Sequence, residues 1–199
     1  MIFIRYENWK NYLRYYPVTS LILLINVILF ILLLLNGNDL ISLGALTNYP
    51  PYDEEKWRYI SSIFLHDGFD HLLFNSFALL VFAPPMERLL GSWRYVVLYL
   101  GSGLLANMLS IAYYNYQMEL TMTVGASGAI YGIYGAFLYV AVLQRRLMDE
   151  ASRKMIYVIL AIGVIFSFMV DNINWMAHLS GLVTGFFIYG LLIRVTNRR

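Results

Sequence analysis

An all-α, polytopic membrane protein with six transmembrane helices is predicted by three features of the 199-residue sequence. Hydrophobic residues make up 60% of the chain and charged residues 13%, about half the usual globular share of charge. The mean hydropathy is +0.62. Six apolar runs follow one another, and six spans of roughly 20 residues use about 120 residues, leaving enough for tails and loops. Twelve of the fourteen lysines and arginines fall in segments that six spans place on one side. These features exclude an ordinary soluble domain and a disordered chain. The absence of cysteine excludes disulfides, thiolate metal sites and a cysteine nucleophile. No basic patch interleaved with aromatics accompanies the net charge of +2, so the expected partner is the lipid bilayer and not nucleic acid.

Residues 1–17 carry many aromatic and basic side chains and read as a cytoplasmic interfacial segment and nothing more. The first span runs from Val18 to Leu35. Asn36-Gly37-Asn38-Asp39 follows it, with no small-residue cleavage site, so the helix is retained. Later spans are expected over 69–86, 93–114, 126–144, 155–171 and 175–194. The second opens with Asp70 and His71 and closes with Pro84-Pro85. The six spans form one domain, 18–194, and 195–199 is a tail. Arg5, Lys10, Arg14, Arg88, Arg94, Arg145, Arg146, Arg153, Lys154, Arg194, Arg198 and Arg199 share one side. The positive-inside rule makes that side, with both termini, cytoplasmic. An odd number of spans destroys the asymmetry. The 1–2 loop, 37–68, then faces outward with Lys56, Arg58, acids (Asp53, Glu54, Glu55) and aromatics (Tyr49, Tyr52, Trp57, Tyr59). A segment lying on the membrane surface and one with a specific structural role fit it equally.

Polar groups inside a bilayer are expensive, so each needs a reason. The second span holds His71 and Asn75, four apart on one face. The fourth opens with Gly125-Ala126-Ser127-Gly128, then Tyr131, Gly132 and Gly135. The sixth holds Ala177-His178-Leu179-Ser180-Gly181, then Gly185. Every even-numbered span starts on the outer side. His71, Asn75, Ser127 and His178 therefore converge in the outer leaflet, within roughly 10 Å of their helix starts at 1.5 Å per residue. The spacings Gly128–Gly132 and Gly181–Gly185 let helix backbones approach closely, and if those faces meet, Ser127 and His178 come within reach. Small-residue spacing alone is most simply helix packing. Packing does not explain the histidine three residues before Gly181, for which a proton relay, a metal ligand, an interhelical hydrogen bond and catalysis are the options.

A serine, a histidine and a flanking amide are the parts of acyl-transfer chemistry. Serine becomes a nucleophile when a base takes its proton, and neutral imidazole does so near pH 7. The resulting oxyanion needs donors, here His71, Asn75 and the Ser127 backbone N–H at the positive end of the fourth span. No carboxylate stands at triad spacing; Asp171 precedes His178 by seven residues and is expected at the outer end of the fifth span. The set is thus a Ser–His dyad, with Tyr131 one turn after Ser127 placed to pack on the imidazole. The chain contains no H-E-x-x-H motif, and His66-x4-His71 is not a helix zinc spacing. No metal or other cofactor is expected. Paired acids for aspartyl chemistry are absent from the spans.

At these residues the chain resembles the rhomboid intramembrane serine proteases, over essentially the whole of 18–194. Gly125-Ala126-Ser127-Gly128 is similar to that family's GxSG motif, Ala177-His178-Leu179-Ser180-Gly181 with Gly185 to AHxxGxxxG, and His71 to Asn75 to HxxxN. Trp57-Arg58 resembles the tryptophan–arginine pair of the 1–2 loop, Glu87 with Gly91 the acidic–glycine element after the second helix, and Tyr131 the tyrosine packed on the histidine. The resemblance implies a minimal, six-helix, bacterial-type rhomboid bundle that cleaves transmembrane segments of membrane proteins. Ser127 is then the nucleophile and His178 the general base, with His71 and Asn75 aiding the oxyanion. It also implies a partly embedded 1–2 loop and lateral substrate entry gated at the fifth helix and 5–6 loop. Inactive relatives lack the serine or the histidine; this chain keeps both. A transporter or channel would use the same histidines as a polar pathway, but no inverted repeat or broken helix is evident. A scaffold that binds client helices through glycine faces would not need Ser127 and His178 together.

Overall fold

Backbone polar groups in a bilayer must be satisfied within the segment, so apolar runs of this length fold as helices. A computed structural model describes residues 2–4, 6–170 and 173–196. Among the described residues there are nine α-helices: α1 (Trp9–Tyr15), α2 (Pro17–Leu35), α3 (Leu40–Leu43), α4 (Arg58–Ser61), α5 (Phe69–Leu90), α6 (Ser92–Tyr116), α7 (Ser127–Leu143), α8 (Glu150–Met169) and α9 (Trp175–Thr196). Two short strands, β1 (Leu46–Thr47) and β2 (Met122–Thr123), pair antiparallel with Leu46 opposite Thr123. Five helices, α2, α5, α6, α8 and α9, are long and apolar enough to cross a membrane. The fourth span, α7, has only 17 residues, about 25 Å of helix. The chain before it is held by the pairing of β2 with β1.

The core is the triple α6–α7–α9, with α7 at its centre and twelve of its residues buried. The glycine faces do meet. A Cβ on Gly181 would strike the carbonyl oxygen of Gly128, and one on Gly185 that of Gly132. At the end opposite the glycine-serine loop, the buried Glu87 carboxylate accepts from Val18 N–H (3.0 Å), Thr19 N–H (2.9 Å), Thr19 Oγ1 (2.7 Å) and Ser92 Oγ (2.7 Å). It neutralises the positive start of α2 and joins it to the α5–α6 turn at Gly91, whose φ of +78° favours glycine.

Several expectations need correction. The second span does not close at Pro84-Pro85; α5 runs through both prolines to Leu90 because Met86, Glu87 and Leu90 are buried and hold the last turn in place. The fifth starts earlier than residue 155, where Asp149 accepts from the Ser152 N–H (3.0 Å) and caps α8. The N-terminal segment is more than interfacial. The Phe3 ring lies edge-on to Phe82 and Phe137, each at 5.2 Å, and Ile2 N–H donates to Ser152 Oγ (3.0 Å). Arg5, Asp171, Arg198 and Arg199, used in the charge and triad readings, lie outside the described residues.

Candidate active site

The 1–2 connection takes the structural option. Arg58 is 2% exposed, and its guanidinium donates to Ile41 O (2.6 Å), Ala45 O (3.0 Å) and Glu55 Oε2 (2.7 Å). Its head lies over the Trp57 ring (4.8 Å), and that ring packs against Gly44, where φ is +107° and a Cβ would collide. Thus braced, the connection sets the position of the segment that precedes α7. The pairing of β1 with β2 fixes 122–123, and Gly125 N–H donates to Ser62 O (2.9 Å). Asn107 Nδ2 holds the same stretch through Tyr59 O (2.9 Å) and Ser62 Oγ (3.0 Å).

Ser127 is the first residue of α7, and no side chain caps that helix. The leading N–H groups of a helix have no intrahelical acceptor, so they are free for a ligand oxygen. Gly125 has φ +121°, and a Cβ there would stand 2.6 Å from His71 Nε2 and 3.7 Å from Asn75 Nδ2. Both α5 side chains therefore line the loop that carries the serine. Asn75 Nδ2 is buried and has no hydrogen-bond partner among the described residues. Gly128, beside Ser127, faces Ala177, beside His178: a Cβ on Gly128 would lie 3.7 Å from Ala177 O.

His178 sits in the first turn of α9, which Asn174 begins by accepting from Ala177 N–H (3.0 Å). Asn174 Nδ2 also donates to Thr123 Oγ1 (2.8 Å) and Ser110 Oγ (2.7 Å), so one amide joins the starts of α9 and α7 to α6. The imidazole stacks on Tyr131, with ring centroids 4.2 Å apart and planes 13° apart. Its Nδ1 lies 2.7 Å from Ser167 Oγ of α8. Among the described residues no hydrogen bond joins Ser127 Oγ to the imidazole. Such bonds are commonly long before substrate arrives.

His71 Nδ1 pairs with Asp67 Oδ1 at 2.6 Å, which leaves Nε2 toward the Gly125 loop. That hydrogen bond holds the Asp67 carboxyl below its ordinary range. His66 is fully buried against the His71 ring (centroids 5.1 Å), and burial lowers its pKa to about 4. The structure thus gathers Ser127, His178, His71, Asn75, Tyr131, Gly125, Gly128 and Gly181 at one end of the bundle, with Gly185 halfway along α9 against Gly132. Glu87 lies at the other end, and Trp57 and Arg58 act behind the site.

Three residues escaped the reading of the sequence. Asp67 stands four before His71, an i,i+4 signal that was available. Asn174 stands one residue before α9, a visible capping position. Ser167 is eleven residues before His178 on another helix, and no local pattern marks it.

A model of the rhomboid domain matches residues 53–195. The chain belongs to the rhomboid family. YdcA of Bacillus subtilis, whose name assigns it to the rhomboid proteases, is 39% identical over 201 residues, covering all of both proteins. The rhomboid protease GluP of the same organism is 36% identical over 174 residues, 85% of this chain and 33% of GluP. Rhomboid-type serine protease 2 of Emericella nidulans is 31% identical over 158 residues, 77% of this chain and 30% of that protein. This rhomboid is a multi-pass membrane protein and an intramembrane serine protease, of a family that acts on transmembrane substrates within the membrane.

Proposed function

We propose that this rhomboid cleaves transmembrane segments with Ser127 as nucleophile and His178 as general base. Domain 18–194 carries the site. The observation that bears most weight is the meeting of the α7 and α9 glycine faces, which sets Ser127 and His178 on facing first turns. His178 Nε2 takes the Ser127 proton as Oγ attacks the scissile carbonyl, and returns it to the leaving amine. The oxyanion finds the Ser127 N–H, the unpartnered Asn75 amide and His71. With Nδ1–H engaged by Asp67, His71 donates through Nε2 only as the imidazolium. Gly125 and Gly128 keep the loop and helix start free of side chains, and Gly181 and Gly185 keep α9 close. No metal or other cofactor takes part.

The substrate enters sideways past α8, which has the smallest buried share of the five long apolar helices. Both termini, with segments 1–17 and 195–199, are cytoplasmic, and the site opens toward the outer leaflet, following the placement of twelve of the fourteen basic residues. Purified protein cutting a transmembrane substrate in the presence of chelator, and losing that activity on Ser127→Ala, tests the chemistry. Cysteine at exposed Glu54 should react with an impermeant thiol reagent in intact cells, and cysteine at exposed Arg146 only after lysis. The reverse pattern overturns the orientation. The lack of native cysteine leaves no background.

A further inference from the structure

Ser167 of α8 is 5% exposed, and its one hydroxyl meets three partners: Gly163 O at 2.7 Å, His178 Nδ1 at 2.7 Å and Tyr131 Oη at 3.1 Å. A hydroxyl has one proton to give and two lone pairs to offer. Gly163 O is a carbonyl and only accepts. Two oxygens 2.7 Å apart with no proton between them repel, so the Ser167 proton points at Gly163. The remaining two contacts then need partners that donate. Tyr131 supplies its phenolic proton, and His178 must carry its proton on Nδ1. A neutral imidazole protonated at Nδ1 has its lone pair on Nε2. The opposite tautomer would set a lone pair against the Ser167 oxygen and leave Nε2 with no capacity to accept.

We propose that Ser167 is a positioning residue that holds His178 in the Nδ1–H tautomer, with Nε2 presented to Ser127. This rests on the Ser127–His178 reading above. The backbone supports the arrangement. Gly163 has no side chain where a Cβ would meet Tyr131 Oη at 2.7 Å, so the phenol reaches the serine. Tyr131 also stacks on the same imidazole, and ring plane and tautomer are set together. When the base takes the Ser127 proton, the Nδ1–H bond to Ser167 persists and gains the strength of a charged donor. A neutral hydroxyl thus occupies the place behind the base where other serine hydrolases hold a carboxylate.

The test combines a spectrum with kinetics. Ring nitrogen resonances of ¹⁵N-histidine-labelled protein in bicelles, with His178 identified by their loss in His178→Ala, should show a protonated Nδ1 and a bare Nε2 in the wild type near neutral pH. Ser167→Ala should shift those resonances toward a tautomer mixture and lower kcat about 3- to 10-fold, the worth of one neutral hydrogen bond, with KM unchanged. Ser167→Thr, which keeps a hydroxyl able to bond the carbonyl four residues back, should restore both readouts. A wild-type His178 protonated at Nε2, or a Ser167→Ala protein with unchanged resonances and kcat, overturns the proposal. The underlying dyad fails separately, through cleavage retained by Ser127→Ala or His178→Ala. If both of those variants are dead while His178 is protonated at Nε2, only the role of Ser167 falls.

Discussion

The helices α7 and α8 are neighbours in the chain and similar in length, yet the bundle treats them oppositely. Twelve of the 17 residues of α7 are buried, against four of the 20 of α8: Ser152, Ile156, Leu160 and Ser167. The contact of α7 with α9 is backbone to backbone through glycine, with no room for a methyl group. That of α8 runs through side chains, while Val158, Ile162, Ile165, Phe166 and Phe168 are exposed where lipid would lie. Close packing resists displacement and a side-chain seam yields to it. The proposed reacting groups sit on the closely packed pair, and α8 beside them is held by far fewer buried residues. Its buried polar tie to the site is Ser167 on His178.

The largest effect comes from breaking the chemistry of the rigid pair. Ser127→Ala and His178→Ala should each abolish cleavage by purified protein while thermal melting stays near wild type. Next are the donors on α5, which border that pair. Losing one oxyanion donor costs about 10²–10³ where a site depends on it, and less where others remain. Asn75→Ala should therefore slow single-turnover cleavage about 10- to 100-fold, mainly in kcat, and His71→Ala with Asn75→Ala should cost more than either alone. Full activity in both single variants would remove α5 from the oxyanion site.

Stability sharpens the contrast between the two helices. Gly185→Ala drives a methyl into the backbone of Gly132, and overpacking of this kind costs about 1–3 kcal/mol. Ile162→Ala on the exposed face of α8 should change stability by less than about 0.5 kcal/mol. Melting of the two purified variants checks the pair, and equal losses would deny that the core and rim differ. A separate check is on pH dependence. Buried His66 stays neutral down to about pH 4, whereas the unfolded chain takes up its proton near 6.5. The unfolded state thus binds more protons between those values, and stability falls as pH drops through that window, by at most about 1.4 kcal/mol per pH unit from this group. In His66→Gln the melting temperature should fall less between pH 7 and pH 5 than in the wild type. An unchanged slope would show that His66 is not what titrates.

Much of this was legible before any coordinates. The apolar runs point to the spans, and the spacing of Gly128, Gly132, Gly181 and Gly185 marks two faces able to pack closely, which the fold brings together. Their contact brings together a serine and a histidine 51 positions apart. What hid was set by tertiary contact. The α5 helix passes through Pro84-Pro85 because burial of its last turn outweighs the proline penalty. Phe3 enters the bundle because Phe82 and Phe137 leave it a place, which no periodicity within residues 1–17 records. Ser167 reads as an ordinary small polar residue on an apolar helix until the fold sets it against His178.

Mass spectrometry of the protein after reaction with a fluorophosphonate tests the central claim most directly, because the adduct reports a nucleophile activated by its base without any substrate. The account predicts one adduct, on Ser127, formed in the wild type and lost in His178→Ala. An adduct on another residue, or labelling of Ser127 undiminished by the loss of His178, would contradict it.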